Sequence, residues 1–94
     1  MSYKLEFKKS ALKEWHKLDA SIKEQFKKRL AGRLTSPHVA SARLSGMRDC
    51  YKIKLRDIGY RLVYEVDDKR LVVVVIAVGR RDHDLVYKLA QNRV

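Results

Sequence analysis

The stretch Cys50–Val66, CYKIKLRDIGYRLVYEV, limits what this chain can fold into more than any other. Side chains alternate sides along a β-strand, so Tyr51, Ile53 and Leu55 share one face. If a turn near Asp57–Gly59 closes a loop of even length, Tyr60, Leu62, Tyr64 and Val66 of the returning strand join them there. The other face then collects Lys52, Lys54, Arg56 and Arg61. The stretch reads as a β-hairpin with one side that needs a cover and one that is cationic. Like charges set across a strand pair repel. Two readings stay open: these are the solvent-side lysines of a basic protein, or cations gathered where an anion visits.

The next run, Leu71-Val-Val-Val-Val-Ile-Ala-Val78, is apolar and mostly β-branched on both faces, as expected of a central strand covered on both sides. Asp67-Asp68-Lys69 supplies the turn before it, and Gly79 ends it, placing Arg80 and Arg81 at its mouth. Upstream, Tyr3–Phe7 alternates as a short half-buried strand whose partner is not fixed by the sequence. Ser10 is the expected N-cap of a helix with Ala11, Leu12, Trp15 and Leu18 on its apolar side. Ser21 and Glu24 have capping-box spacing ahead of a second helix striped by Ile22, Phe26, Leu30 and Leu34. Lys23, Lys27, Lys28 and Arg33 fall off that stripe and read as a solvated face. Thr35-Ser36-Pro37 stops this helix, because the residue before proline resists the α conformation.

His38–Asp49 reads as a loop carrying Arg43 and Arg48. Asp82 or Asp84 would cap a last helix with Leu85, Val86, Leu89 and Ala90 inward and Tyr87 roughly opposite. The expected fold is α+β in the order β-α-α-β-β-β-α: an antiparallel sheet packed against an N-terminal helix pair, with a short C-terminal helix.

Ninety-four residues without repeat or linker make one domain, 1–94, with a single modest core. One cysteine, Cys50, excludes an internal disulfide and fits a reducing compartment. The longest uncharged apolar run is far short of a membrane span, so a soluble cytoplasmic protein is expected, with no membrane partner. The formal net charge of +11 attracts polyanions: nucleic acid, ribosome or an acidic protein.

Familiar sites are missing. There is no glycine-rich phosphate loop, no zinc spacing and no serine elbow, and no cofactor is called for. Asp67, Asp68, Asp82 and Asp84 are better explained by turns and capping than by a two-metal nuclease, and His16, His38 and His83 are dispersed with no obvious partner. What remains is a metal-free cationic set: Lys52, Lys54 and Arg61 on the sheet, Arg81 at the end of the central strand, and Tyr87 on the last helix. RNA cleavage needs a base for the 2′-hydroxyl, positive charge for the phosphorane-like transition state and a proton donor for the leaving 5′-oxygen. Lysine and arginine supply the second. Tyrosine, with an ordinary pKa of about 10, becomes a base only if nearby cations favour its phenolate.

The segments ALKEW at Ala11–Trp15, GMRDCYKIKLR at Gly46–Arg56, GYRLVYEV at Gly59–Val66 and VIAVGRR before Val86-Tyr87 closely resemble the RelE toxins of bacterial type II toxin–antitoxin systems. The resemblance spans essentially the whole chain. It implies a messenger RNA interferase that enters the ribosomal A site and cuts the codon there, leaving a 2′,3′-cyclic phosphate and a 5′-hydroxyl. It also implies neutralisation by a RelB-type antitoxin, with operator DNA bound only through the toxin–antitoxin complex, which represses its own operon. By position the family's catalytic set falls on Lys52, Lys54, Arg61, Arg81 and Tyr87. Tyr87 is then the general base, Lys52 and Lys54 stabilise charge, Arg61 holds the scissile phosphate and Arg81 is assigned the general acid. A guanidinium scarcely gives up a proton, so Arg81 suits stabilising the leaving oxygen while water or a lysine donates. Arg43, Arg48, Arg56 and Arg80 are the further expected RNA contacts. The chain departs from the pattern at Ser45, where close relatives carry a basic residue. The alternatives are a non-catalytic RNA- or ribosome-binding module and a gyrase-poisoning toxin of the same superfamily, which should lack the Lys/Arg/Tyr set.

Overall fold

The computed structural model describes residues 2–80 and 85–93. The elements are β1 (Lys4–Phe7), α1 (Lys9–His16), α2 (Ala20–Thr35), a 3₁₀ turn at Ala40–Ala42, β2 (Cys50–Leu55), β3 (Tyr60–Asp67), β4 (Val72–Arg80) and α3 (Leu85–Arg93). This is the α+β order read from the sequence. The strands lie in the order β1-β4-β3-β2. β2, β3 and β4 form the expected antiparallel meander, while β1 joins the other edge of β4 in parallel, from Lys4 beside Val72 to Phe7 beside Val75. The sheet is therefore mixed, and β1 is the partner that makes the valine-rich strand internal.

The hairpin register is the one that sorts the faces. Leu55 pairs with Tyr60 and Lys54 with Arg61, and Gly59, at φ 68°, donates its N–H to the Leu55 carbonyl at 2.9 Å. Tyr51, Ile53, Leu55, Leu62, Tyr64 and Val66 consequently face α1 and α2, meeting Ala11, Trp15, Ile22, Phe26 and Leu30 in the main core. A β-bulge then changes the parity of β4. Val63 pairs with Ala77 but Tyr64 with Val75, so Ile76 is the extra residue. Ile76 and Ala77 both join a second core with Cys50, Val63, Val86 and Ala90, under α3, while Val75 and Val78 stay in the first. Gly79 thereby lies opposite Arg61, where a Cβ would stand 3.2 Å from a methyl of Val86.

Both helix starts differ from the sequence reading. Ser10 lies inside α1, which begins behind Lys8, a residue in extended conformation with no side-chain cap. Lys8 still donates its N–H to the Val75 carbonyl at 3.0 Å, so the chain leaves the sheet and enters the helix without spare residues. Ser21 and Glu24 form no capping box; α2 begins at Ala20 behind Asp19, again without a side-chain cap. Leu18 is packed against the core, which fixes where the link turns.

The last helix buries Val86 and Ala90, but Leu85 remains 55 % exposed. With the stripe centred on Val86 and Ala90, a rotation of about 100° per residue puts Tyr87 on its flank instead of opposite it. Tyr87 is accordingly half-buried against the second core. Arg81, Asp82, His83 and Asp84, including the expected caps, lie outside the described residues.

Candidate functional site

α3 covers only part of the second face of the sheet. Where it stops, Lys52 and Lys54 of β2 and Arg61 of β3 stand half-exposed, Lys54 directly across the strand pair from Arg61 and Lys52 across from Val63. The alternation that buries Ile53 and Leu55 is what aims both lysines this way. The Arg61 guanidinium lies 6.0 Å from the centre of the Tyr87 ring, at the outer range of a cation–π contact. The Tyr87 hydroxyl oxygen is buried, as is Arg61 Nε, which has no hydrogen-bond partner among the described residues.

Crowding of like charge has a consequence for protonation. The Lys52 charge, followed by partial burial and the charge of Arg61, lowers the pKa of Lys54 below the ordinary lysine value. Cys50, beneath the same surface, moves the other way. Burial, then the carboxylates of Glu65 and Asp49, push its thiol up to about 11, so it stays protonated and serves packing.

The remaining predicted contacts are dispersed. Arg56 lies near the lysines, in a groove of about 560 Å³ lined by Arg29, Arg33, Ser41, Ala42, Lys52, Lys54, Arg56 and Asp57. Arg48 is 94 % exposed, 3.9 Å from Asp49, in a separate depression with Glu65, Asp67 and Asp68. Arg43 is exposed and bridges to Tyr51 at the edge of β2. Arg80 stands over the Tyr60 ring at 5.7 Å, and Tyr60 packs against the helix-covered core, so Arg80 is turned from the Lys54–Arg61 surface. Ser45 is exposed, and Arg81 lies outside the described residues.

Sequence reasoning gave Arg33, Arg29 and His38 too little weight. Arg33, read as part of a solvated face, donates from Nη1 to the Lys52 carbonyl at 3.1 Å and to the Tyr64 hydroxyl at 2.9 Å. Arg29 lines the same groove one turn earlier; that i, i+4 spacing on α2 was the available signal. His38, without an obvious partner in the sequence, gains two: Nδ1 lies 2.7 Å from the Tyr51 hydroxyl and Nε2 lies 2.9 Å from Asp68.

Against this geometry the relatives are informative. Residues 5–85 match the family described as the ParE toxin of type II toxin–antitoxin systems. The mRNA interferase toxin RelE of Escherichia coli strain K12 is 52 % identical over 94 residues, covering 100 % of this chain and 99 % of that protein. A mutant E. coli RelE in the free state superposes with a TM-score of 0.93 at 51 % identity, over 100 % of this chain and 99 % of that one. The toxin of the intact E. coli RelBE complex matches with a TM-score of 0.84 at 52 % identity, covering 87 % of this chain and 100 % of that one. The fold, the hairpin and the full-length identity agree: the chain belongs to the ParE-type toxins of type II toxin–antitoxin systems, and within them to the RelE family.

Proposed function

We propose that this toxin is a ribosome-dependent endoribonuclease that cuts messenger RNA in the A site. The observation that carries the reading is the uncovered cationic surface of Lys52, Lys54 and Arg61 with the Tyr87 ring beside Arg61. In the proposed reaction Tyr87, reacting as the phenolate, accepts the 2′-hydroxyl proton, and the 2′-oxygen attacks the adjacent phosphorus. The P–O5′ bond breaks, giving a 2′,3′-cyclic phosphate and a 5′-hydroxyl. Lys52 and Arg61 hold the charge that builds on the phosphoryl oxygens, a role suited to fixed cations in a partly dry site. A lysine with a lowered pKa gives up a proton more readily, so Lys54 is the described residue best suited to protonate the 5′-oxygen. Arg81, outside the described residues, would stabilise that oxygen. No step requires a metal or cofactor.

The Tyr87 hydroxyl is buried in the free chain, so its cover must open before it meets a 2′-hydroxyl. A site that needs opening and has few acid–base groups suits a toxin completed by the ribosome. A RelB-type antitoxin is the proposed inhibitor, since the toxin of the E. coli RelBE complex matches 87 % of this chain with a TM-score of 0.84. Autoregulation through that complex and a cytoplasmic location are parts of the same proposal. Among the described residues no helix is long and apolar enough to cross a membrane.

The test is cleavage of a defined message on programmed ribosomes with an empty A site, beside the same RNA naked and the Tyr87→Phe protein. Cleavage on the ribosome only, reduced about 10²–10⁴-fold in the variant, is expected. Full activity in Tyr87→Phe removes the base from the mechanism. Ribosome binding without cleavage in any arm replaces the enzyme by a binding module.

A further inference from the structure

The groove on the helix side of β2 shares Lys52 and Lys54 with the chemistry just proposed, while its other lining residues take no part in it. β2 is the edge of the sheet, and the chain before it covers only its first half. Leu44 donates its N–H to the Cys50 carbonyl at 3.0 Å and Arg43 bridges to Tyr51, leaving the edge from Lys52 onward to face α2. There Arg33 is locked between the Lys52 carbonyl and the Tyr64 hydroxyl, with its guanidinium 5.7 Å from the Tyr64 ring centre, and serves as wall. Arg29, Lys52, Lys54 and Arg56 have no ion-pair partner among the described residues, although all line a space of about 560 Å³. Asp57 is the sole carboxylate among the lining residues and Ala42 the sole apolar side chain. Unneutralised cations held close together raise one another's energy unless an anion enters. The poverty of apolar lining disfavours a peptide, whose docking rests on buried apolar anchors.

Continuity identifies the anion. Lys52 and Lys54 belong both to this groove and to the surface facing Arg61, so the positive track passes round the strand edge without a gap. A single small anion would occupy one end of such a track; a chain of phosphodiesters occupies both. We propose that the groove is a second phosphate subsite, in which Arg29 and Arg56, with Lys52 and Lys54 as shared wall, hold a backbone phosphate of RNA neighbouring the one at Arg61. The inference rests on the RNA-cleaving reading for its choice of polymer and names a contact on α2 that the reaction itself does not need. The phosphodiester belongs either to the message or to ribosomal RNA.

Binding separates these without any cleavage. Two probes are titrated with the full chain: a labelled single-stranded oligonucleotide made uncleavable by 2′-O-methylation, and ribosomes without message. Arg29→Ala is compared with Lys28→Ala, which removes the same charge from an exposed neighbour on α2 that does not line the groove. Arg29→Ala is expected to weaken oligonucleotide binding about tenfold, as for loss of a charged hydrogen bond. The slope of log affinity against log salt should flatten by about 0.7. Lys28→Ala should change affinity less than about twofold, and Arg29→Lys should recover most of the loss. An Arg29→Ala effect confined to ribosomes assigns the phosphate to ribosomal RNA. Equal effects of Arg29→Ala and Lys28→Ala on both probes overturn the subsite. Loss of antitoxin binding with RNA binding intact also overturns it, in favour of an acidic peptide. A chain that binds through Arg29 but never cuts keeps the subsite and loses the enzymatic reading; one that cuts while the two variants bind alike does the reverse.

Discussion

Asp68 is exposed, yet it holds two side-chain partners from distant parts of the chain. It accepts a hydrogen bond from the Tyr3 hydroxyl at 2.6 Å and lies against His38 at 2.9 Å, tying the N-terminal segment, the loop after α2 and the β3–β4 turn together. These two bonds, Tyr3 first, hold its carboxyl below the ordinary range. A carboxylate whose pKa is depressed by folding adds stability that is present above its unfolded value, near 3.9, and is lost as pH falls through the folded value. The same bond raises the Tyr3 pKa, so that contribution is present below the ordinary tyrosine value and is lost as pH climbs past it. Asp68→Asn should therefore flatten both the acid and the alkaline limbs of a plot of urea midpoint against pH. Unchanged slopes in the variant would show that the pH response lies elsewhere.

At the scale of the element, α3 is held by a latch at its far end. Arg93 donates to Glu14 of α1 at 2.9 and 3.2 Å and to the Ile76 carbonyl at 2.8 Å, while Lys8 donates to the Arg93 carbonyl at 2.8 Å. Glu14 also accepts the Val78 N–H at 3.1 Å, beyond the point where β1 stops pairing with β4. One carboxylate thus satisfies a strand edge and anchors the helix that carries Tyr87. Arg93 and Glu14 are 20 % and 24 % exposed, so water screens the pair only in part. Glu14→Ala should cost about 1–3 kcal/mol, mostly from partners left unsatisfied. That corresponds to a fall in Tm of roughly 4–8 °C per kcal/mol in a domain of this size. Amide hydrogen exchange should quicken in α3 before it does in β3 or β4. Uniform quickening across the sheet would instead mark Glu14 as a general core residue.

For the whole molecule, the net charge of +11 is set on a sheet whose covers are unequal: two helices on one face and a short one on the other. Charge of this size steers polyanions toward a surface, and under the proposed function the uncovered lysines are where one would settle. Association with ribosomes should slow by about tenfold or more as salt rises from about 50 to 200 mM, while the cleavage rate of bound toxin stays nearly constant. An association rate indifferent to salt would mean that shape, not charge, governs the encounter. A cleavage rate that fell in parallel would place the screened charges in the chemical step.

The hairpin register, the internal position of the valine-rich strand and the gathering of Lys52, Lys54 and Arg61 on one face were all legible in the sequence. The register and the cationic face follow from a period of two over a short loop, which pairs residues close along the chain; the internal strand was legible only from its apolar, β-branched residues on both faces. The parallel partner of β1, the start of each helix and the partners of His38 were not, because each depends on groups that only folding brings together. The bulge at Ile76 is of the same kind: two apolar residues of ordinary type give no sign that one of them is extra, and packing against α3 makes the choice. Sequence alone determined which residues form a cationic face; tertiary structure decided that α3 leaves part of it open and that Arg29 and Arg33 of α2 extend it around an edge. Periodicity is written along the chain, whereas the reach of one element over another depends on lengths and angles that no local pattern records.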